Sequence, residues 1–211
     1  MKTPAAIILA AVLLLSAGCG APLVEAPPPD LSQIEEVLGY SLAPAALPES
    51  FEFKSCEILG YTESIVSSTL IPYACLYYNG CRDYPTGSIM VQYPRQFPPT
   101  VSDDYLLESL GIEWHRPDDA VKEVSIDGHT AHIVRGGWSG ESMHCLTSLD
   151  TEALAEYTPV WNYDLYLSLY FDYELSSDET IGVSLTALLY PEDWITSGEM
   201  VGVAESLQRI N

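Results

Sequence analysis

The chain has 211 residues, 47% of them hydrophobic, and sets 30 acidic side chains against eight basic ones, for a formal charge of −22. A field of that sign repels phosphate backbones and anionic lipid headgroups alike, which excludes nucleic-acid binding. No Asp-x-Asp-x-Asp-Gly loop accompanies the acidity, so calcium has no specific support and the charge reads as a well-solvated exterior.

Lys2 and the apolar run from Ala5 to Leu15 form a secretory signal over residues 1–18. The run is too short to span a bilayer core, which needs roughly 20 apolar residues. Ser16-Ala17-Gly18-Cys19 resembles the bacterial lipobox, in which small residues precede a cysteine that is acylated and becomes the new N-terminus. Ser16 stands where leucine is usual, with Leu15 one place earlier. Cys19 is therefore the expected lipid-bearing residue, and the membrane, reached through that lipid, the first partner. With four prolines, residues 20–29 read as the rest of a semi-rigid tether over 19–29, and 30–211 as one extracytoplasmic domain.

Once Cys19 is assigned to lipid, Cys56, Cys75, Cys81 and Cys145 remain, an even number in an oxidising compartment. Four cysteines allow three pairings. A hairpin turning near Ile65 would set Cys56 opposite Cys75, which leaves Cys81 for Cys145. A zinc site is the rival reading, but no Cys-x-x-Cys spacing supports it.

In chain order, Asp30 caps a short helix with Gln33 reaching back, its apolar stripe being Ile34, Val37 and Leu38 and its stop Gly39. A proline-broken crossing leads to strands at Phe51 to Gly60, Thr69 to Tyr78 and Gly87 to Tyr93. Ser102 caps a brief helix through Leu110. Asp127-Gly128 marks a type I′ hairpin whose register sets Ile126 against His129, Val124 against Ala131 and Glu123 against His132. From Asp164 to Asp172 the pattern alternates: Leu165, Leu167, Leu169 and Phe171 on one face, Tyr166, Ser168 and Tyr170 on the other. A last strand at Ile181 to Leu189 precedes a helix opened by the capping box Thr196 to Glu199, with Met200, Val203, Ala204 and Leu207 on one face. About seven strands in hairpin-like order with helices near both ends make an α+β domain: a curved antiparallel sheet, half-barrel-like, with helices packed on one side.

Leu47-Pro48-Glu49-Ser50-Phe51, the hairpin from Val124 to Ala131 and the closing Ala204-Glu205-Ser206-Leu207 resemble, in that order, the extracytoplasmic family numbered 4367 among domains of unknown function. That family is similar to the lipoprotein-carrier (LolA-type) group, whose bent sheet cradles acyl chains. The resemblance covers most of residues 31 to 210 and implies a lipid-like ligand in the concave face. The four cysteines and the loop from Asn79 to Thr86 are not part of its pattern.

Catalytic constellations fail one by one. Gly137-Trp138-Ser139-Gly140-Glu141 begins like a nucleophile elbow but ends on Glu141 and follows a hairpin, so it reads as a Gly-rich turn. His129 and His132 fall on opposite faces of a strand and cannot share a metal, and His132 reads as a surface pair with Glu123. His144 beside Cys145 diverges in the same way, and the pairs Asp103-Asp104 and Asp118-Asp119 read as helix-start and turn residues. The expectation is a protein that is not an enzyme and uses neither metal nor cofactor. Among the 14 tyrosines, Tyr166 and Tyr170, on the polar face of their strand, are the best ligand-contacting candidates. Two roles follow for a lipid-anchored protein on the extracytoplasmic side of the envelope. One is binding a lipid-like envelope component in a concave sheet face. The other is meeting an envelope protein through an acidic, Tyr-rich face.

Overall fold

The computed structural model describes residues 22–49, 51–61, 70–80, 87–95, 105–107, 112–114, 116–139, 160–189 and 194–210. In chain order these form β1 (Leu23–Glu25), α1 (Ser32–Leu38), β2 (Leu42–Pro44), β3 (Ala46–Pro48), β4 (Phe51–Tyr61), β5 (Ile71–Gly80), β6 (Ser88–Tyr93), β7 (Tyr105–Leu107), β8 (Ile112–Trp114), β9 (Val121–Ile126), β10 (His129–Ser139), β11 (Val160–Ser176), β12 (Glu179–Leu188), α2 (Ser197–Glu205) and β13 (Leu207–Arg209). The expected α+β balance shifts: the fold is dominated by antiparallel sheet, and the two α-helices among the described residues are short.

Seven strands form one sheet in the order β4-β5-β6-β12-β11-β10-β9. Two meanders are thus joined at β6 and β12, where a fully consecutive order would join β6 to β9. The side chains explain the choice. Strand β9 exposes Lys122, Glu123 and Ser125, as suits an edge. Strand β12 buries Val183, Leu185 and Ala187 and is paired on both sides.

Direct cross-strand partners trace whole rows across the sheet. On one face Cys56, Leu76, Val91, Leu185, Leu169 and Ile133 follow one another from β4 to β10. That face joins a buried cluster with Ile34 of α1, Leu42 of β2, Leu47 of β3 and Met200, Val203 and Ala204 of α2. Phe51 stacks on Trp194 at 4.8 Å, and the Trp194 indole donates to the Leu188 carbonyl at 2.6 Å. Each large apolar side chain sunk here contributes roughly 1.5–3 kcal/mol of burial.

The hairpin at Asp127-Gly128 has the expected register, and both turn residues have positive φ (49° and 86°) as type I′ requires. The Thr196–Glu199 capping box forms in both directions. Helix α1 departs from expectation. Asp30 accepts from the Ser32 N–H at 3.1 Å, but Leu31 holds the cap position without a side-chain bond, and Val37 is 51% exposed. Seven residues give about two turns, enough to bury Ile34 alone.

Two expectations are corrected. Leu23–Glu25, assigned to the tether, is a strand pairing with β3, and Leu23 and Ala26 rest against the core. The apolar face needs cover, and Leu23 supplies some. Tyr105–Leu107, assigned to a helix capped by Ser102, is a strand paired with Ile112–Trp114; Ser102 and Leu110 lie outside the described residues. A Tyr-Leu-Leu run suits a strand as well as a helix, and a local partner strand decides.

Tyr93 ties the sheet to its cover. Its buried hydroxyl accepts from the Leu42 N–H at 2.9 Å and donates to the Leu42 carbonyl at 3.0 Å. Tyr78 is as deeply buried, yet its hydroxyl meets no hydrogen-bond partner among the described residues. Burial pushes both hydroxyls well above the usual tyrosine range. Tyr93→Phe strands two polar groups of Leu42, and a urea titration should show a loss of about 1–3 kcal/mol. Tyr78→Phe strands nothing and should be neutral or stabilising in the same assay. Both tyrosines hold their protons to higher pH when folded, so their contribution is full below about pH 10 and lost as pH rises further. Melting of Tyr78→Phe should therefore decline less above pH 10 than melting of the parent; equal decline would refute this account.

Candidate functional site

The second face of the sheet carries a different row. Glu57, Cys75, Gln92, Ser184, Tyr170, His132 and Glu123 are successive cross-strand partners through all seven strands. Its ends, Glu57 and Glu123, are exposed, while Cys75 is buried between Glu57 and Gln92 and Ser184 between Gln92 and Tyr170. Beside it, Ser168 and Thr186 share a hydroxyl hydrogen bond at 3.2 Å, and Tyr77 donates to Glu57 at 3.3 Å. Burial, then the neighbouring Cys75 and Glu57, push the Tyr77 hydroxyl up to about 12. Arg95 crosses this face over Gly182, where a Cβ would meet its Cγ at 2.6 Å, and its guanidinium reaches Asp172 at 3.1 Å.

The register corrects the expected Cys56–Cys75 bridge. Phe53 faces Tyr78, as the simple hairpin predicts, but a bulge at Lys54 makes Ser55 face Tyr77 and Cys56 face Leu76. One extra residue sends every later side chain of β4 to the other face. Cys56 thus lies against the core, Cys75 lies on the polar face, and neither has a disulfide partner among the described residues. Burial pushes both thiols up, with Asp30 adding to the effect on Cys56 and Glu57 to that on Cys75. Neither has the electropositive, accessible setting of a reactive cysteine. Cys19, Cys81 and Cys145 lie outside the described residues, as do His144 and Asp103-Asp104.

Tyr166 and Tyr170 sit on the polar face in alternation with Ser168. Tyr166 is 40% exposed and lies over Gly137, where a Cβ would meet its Cδ2 at 2.8 Å. Sequence reasoning missed the device beside it. Arg135 faces Leu167 but Gly137 faces Asn162, so Tyr163 to Tyr166 stand opposite Gly136 alone. Gly136 has φ 109°, and a Cβ there would run into the Trp161 indole and meet the Asn162 carbonyl at 2.8 Å. The Trp161 indole donates to the Arg135 carbonyl at 3.1 Å and meets Trp138 edge-on at 5.2 Å. Tyr163 donates to Asp119 at 2.7 Å. The signal is present in the glycine pair Gly136-Gly137 beside Trp138, which reads as the start of a turn in sequence and is strand as far as Ser139.

His129 and His132 diverge, and His129 approaches Glu174 at 3.5 Å. Among the described residues, no three His, Cys, Asp or Glu side chains cluster as metal ligands do. A cavity of about 240 Å³ opens beside the Asp127-Gly128 turn, where Asp127, His129, Phe171, Glu174 and Leu207 line part of its wall. It is smaller than most small-molecule sites, which run from about 300 to 1,000 Å³. Comparison with protein-family models, with curated proteins and with solved structures finds no match in any of the three.

Non-reducing peptide mapping should yield no Cys56–Cys75 peptide, and alkylation of both thiols should require unfolding; such a linked peptide would overturn the bulge register. Gly136→Ala should cost about 1–3 kcal/mol, the range for a strained backbone site, and alter the near-ultraviolet dichroism of the Trp138–Trp161 pair. An unchanged spectrum and stability would show that the bulge does not hold the indoles.

Proposed function

We propose that this chain is a lipid-anchored, non-enzymatic module on the extracytoplasmic side of the envelope, which meets another envelope protein through the polar face of its sheet. The observation that carries the reading is the row from Glu57 to Glu123, with Tyr166 and Tyr170 on the same face. Aromatic rings within the face and charged groups at its ends are the composition of a non-obligate protein interface. The apolar face has the composition an acyl chain would need. Its cover, however, is supplied by the chain's own Ile34, Met200, Val203 and Ala204, which favours a protein partner over a carried lipid. A half-barrel with both helices on the covered side, as in the family 4367 resemblance, belongs to the same proposal. Lipidation at Cys19 supplies the membrane partner, and no helix among the described residues is long and apolar enough to cross a membrane.

A photo-crosslinking residue at Tyr166 or Tyr170, in the full-length protein expressed in its membrane, should capture one protein of defined mass. The same residue at Val37 on α1 serves as control. Tyr166→Ala should weaken that complex by the 2 kcal/mol or more, roughly thirtyfold, typical of an interface hot spot. Adducts equally frequent at Val37, or lipid as the captured species, would overturn the protein-partner reading.

A further inference from the structure

We infer that β1 clamps the domain close against the bilayer, with the α2 side toward the lipid and the polar face of the sheet turned away from it. The inference rests on the lipid-anchor reading of Cys19. The domain does not begin after a proline tether. Leu23, Val24 and Glu25 pair with Pro48, Leu47 and Ala46, and the Ala26 N–H donates to the Ala45 carbonyl at 2.8 Å. Leu23 also lies on α2, where a Cβ at Gly202 would meet its Cδ1 at 2.7 Å.

The leash is therefore short. From Cys19 to Leu23 there are four Cα steps, at most about 14 Å of extended chain. A tether running to Asp30 would allow about 40 Å. A domain of this size has a radius of gyration of about 16 Å. The longer tether would let it turn any side to the membrane; the shorter one holds the β1 corner beside the headgroups.

The surface at that corner is compatible with an anionic bilayer. Pro22, Val24, Pro27 and Pro28 are exposed and uncharged, and Glu25 is the single carboxylate of residues 22–29. Val24 is 41% exposed. In a protein of charge −22, a stretch with one carboxylate in eight residues costs little to bring near lipid phosphates. Helix α2 buries its apolar side in the same cluster as Leu76, Val91 and Leu185, so the row from Glu57 to Glu123 lies on the far side of the sheet from Leu23.

The test uses the full-length lipidated protein in phosphatidylethanolamine–phosphatidylglycerol vesicles containing a nitroxide-headgroup lipid. A fluorophore on an encoded clickable residue is placed at Val24 in one sample and at exposed Ser55, on the polar face, in another. Pro28 serves as the near site should a label at Val24 disturb β1. Quenching should be several-fold stronger at the near site, and a Gly/Ser insert of about twelve residues between Ala21 and Pro22 should abolish the difference. Protein that floats with the vesicles but is quenched equally at both sites overturns the clamp alone. Protein that fails to float overturns the anchor reading and the clamp with it.

Discussion

One constraint underlies the described fold: a seven-stranded sheet has an apolar face that must be kept from water, and the two short helices among the described residues cannot cover it alone. The rest of the cover is assembled from irregular chain near both ends of the domain, whose backbone polar groups also need partners. The two ends supply them to each other. Strand β13 pairs with β2, the Ala45 N–H donates to the Ser206 carbonyl, and the Ser206 hydroxyl bonds both the N–H and the carbonyl of Ala46. Ser41 and Ile210 close the far end of the same seam, and Tyr93 fastens Leu42 from below. Residues 41–46 and 206–210 thus act as one piece, although the whole sheet separates them in sequence.

That interlocking explains which parts of the architecture were legible in the sequence. Features fixed by neighbours in the chain were readable: the Asp127-Gly128 turn, the Thr196–Glu199 box, and the alternation through Leu167, Leu169 and Phe171. Features fixed by distant partners were not. Leu23 belongs to the domain because of Gly202, and β6 joins β12 because β9 is charged enough to stand at an edge. Nothing local distinguishes a proline-rich tether from a strand whose partner lies some twenty residues on.

The site was legible in the same uneven way. Period-two alternation put Tyr166 and Tyr170 on one face without any structure. The cysteine pairing depended on an absolute register, and one extra residue at Lys54 was enough to invert it. Gly136 shows the same sensitivity on the opposite meander, where an irregular register sets four residues against one and seats Trp161. Register is thus the quantity that decides what this sheet presents, and hydrophobic pattern fixes it only modulo two.

The two bulges have a common consequence for the polar face. Each lies in a hairpin toward one flank of the sheet, at Lys54 in the pair β4–β5 and at Gly136 in the pair β10–β11, and each re-aims side chains; between them β5, β6 and β12 stay in continuous register, and β11–β12 shifts only at Glu174–Ser176 beside its turn. The centre of that face is accordingly flat and small, with Cys75, Ser184 and Ser168 buried between larger neighbours. Relief comes from the tyrosines and tryptophans nearer the flanks, and charge from Glu57 and Glu123 at the ends. A shallow surface of this kind offers no enclosure for a small molecule, whereas a broad partner can contact the rings while its basic groups meet the rim. Long-range attraction by a chain of charge −22 would steer such a partner and repel the bilayer's own anionic headgroups. On the proposed reading the short leash resolves the conflict, because it holds a sparsely charged corner to the lipid and leaves the acidic face free.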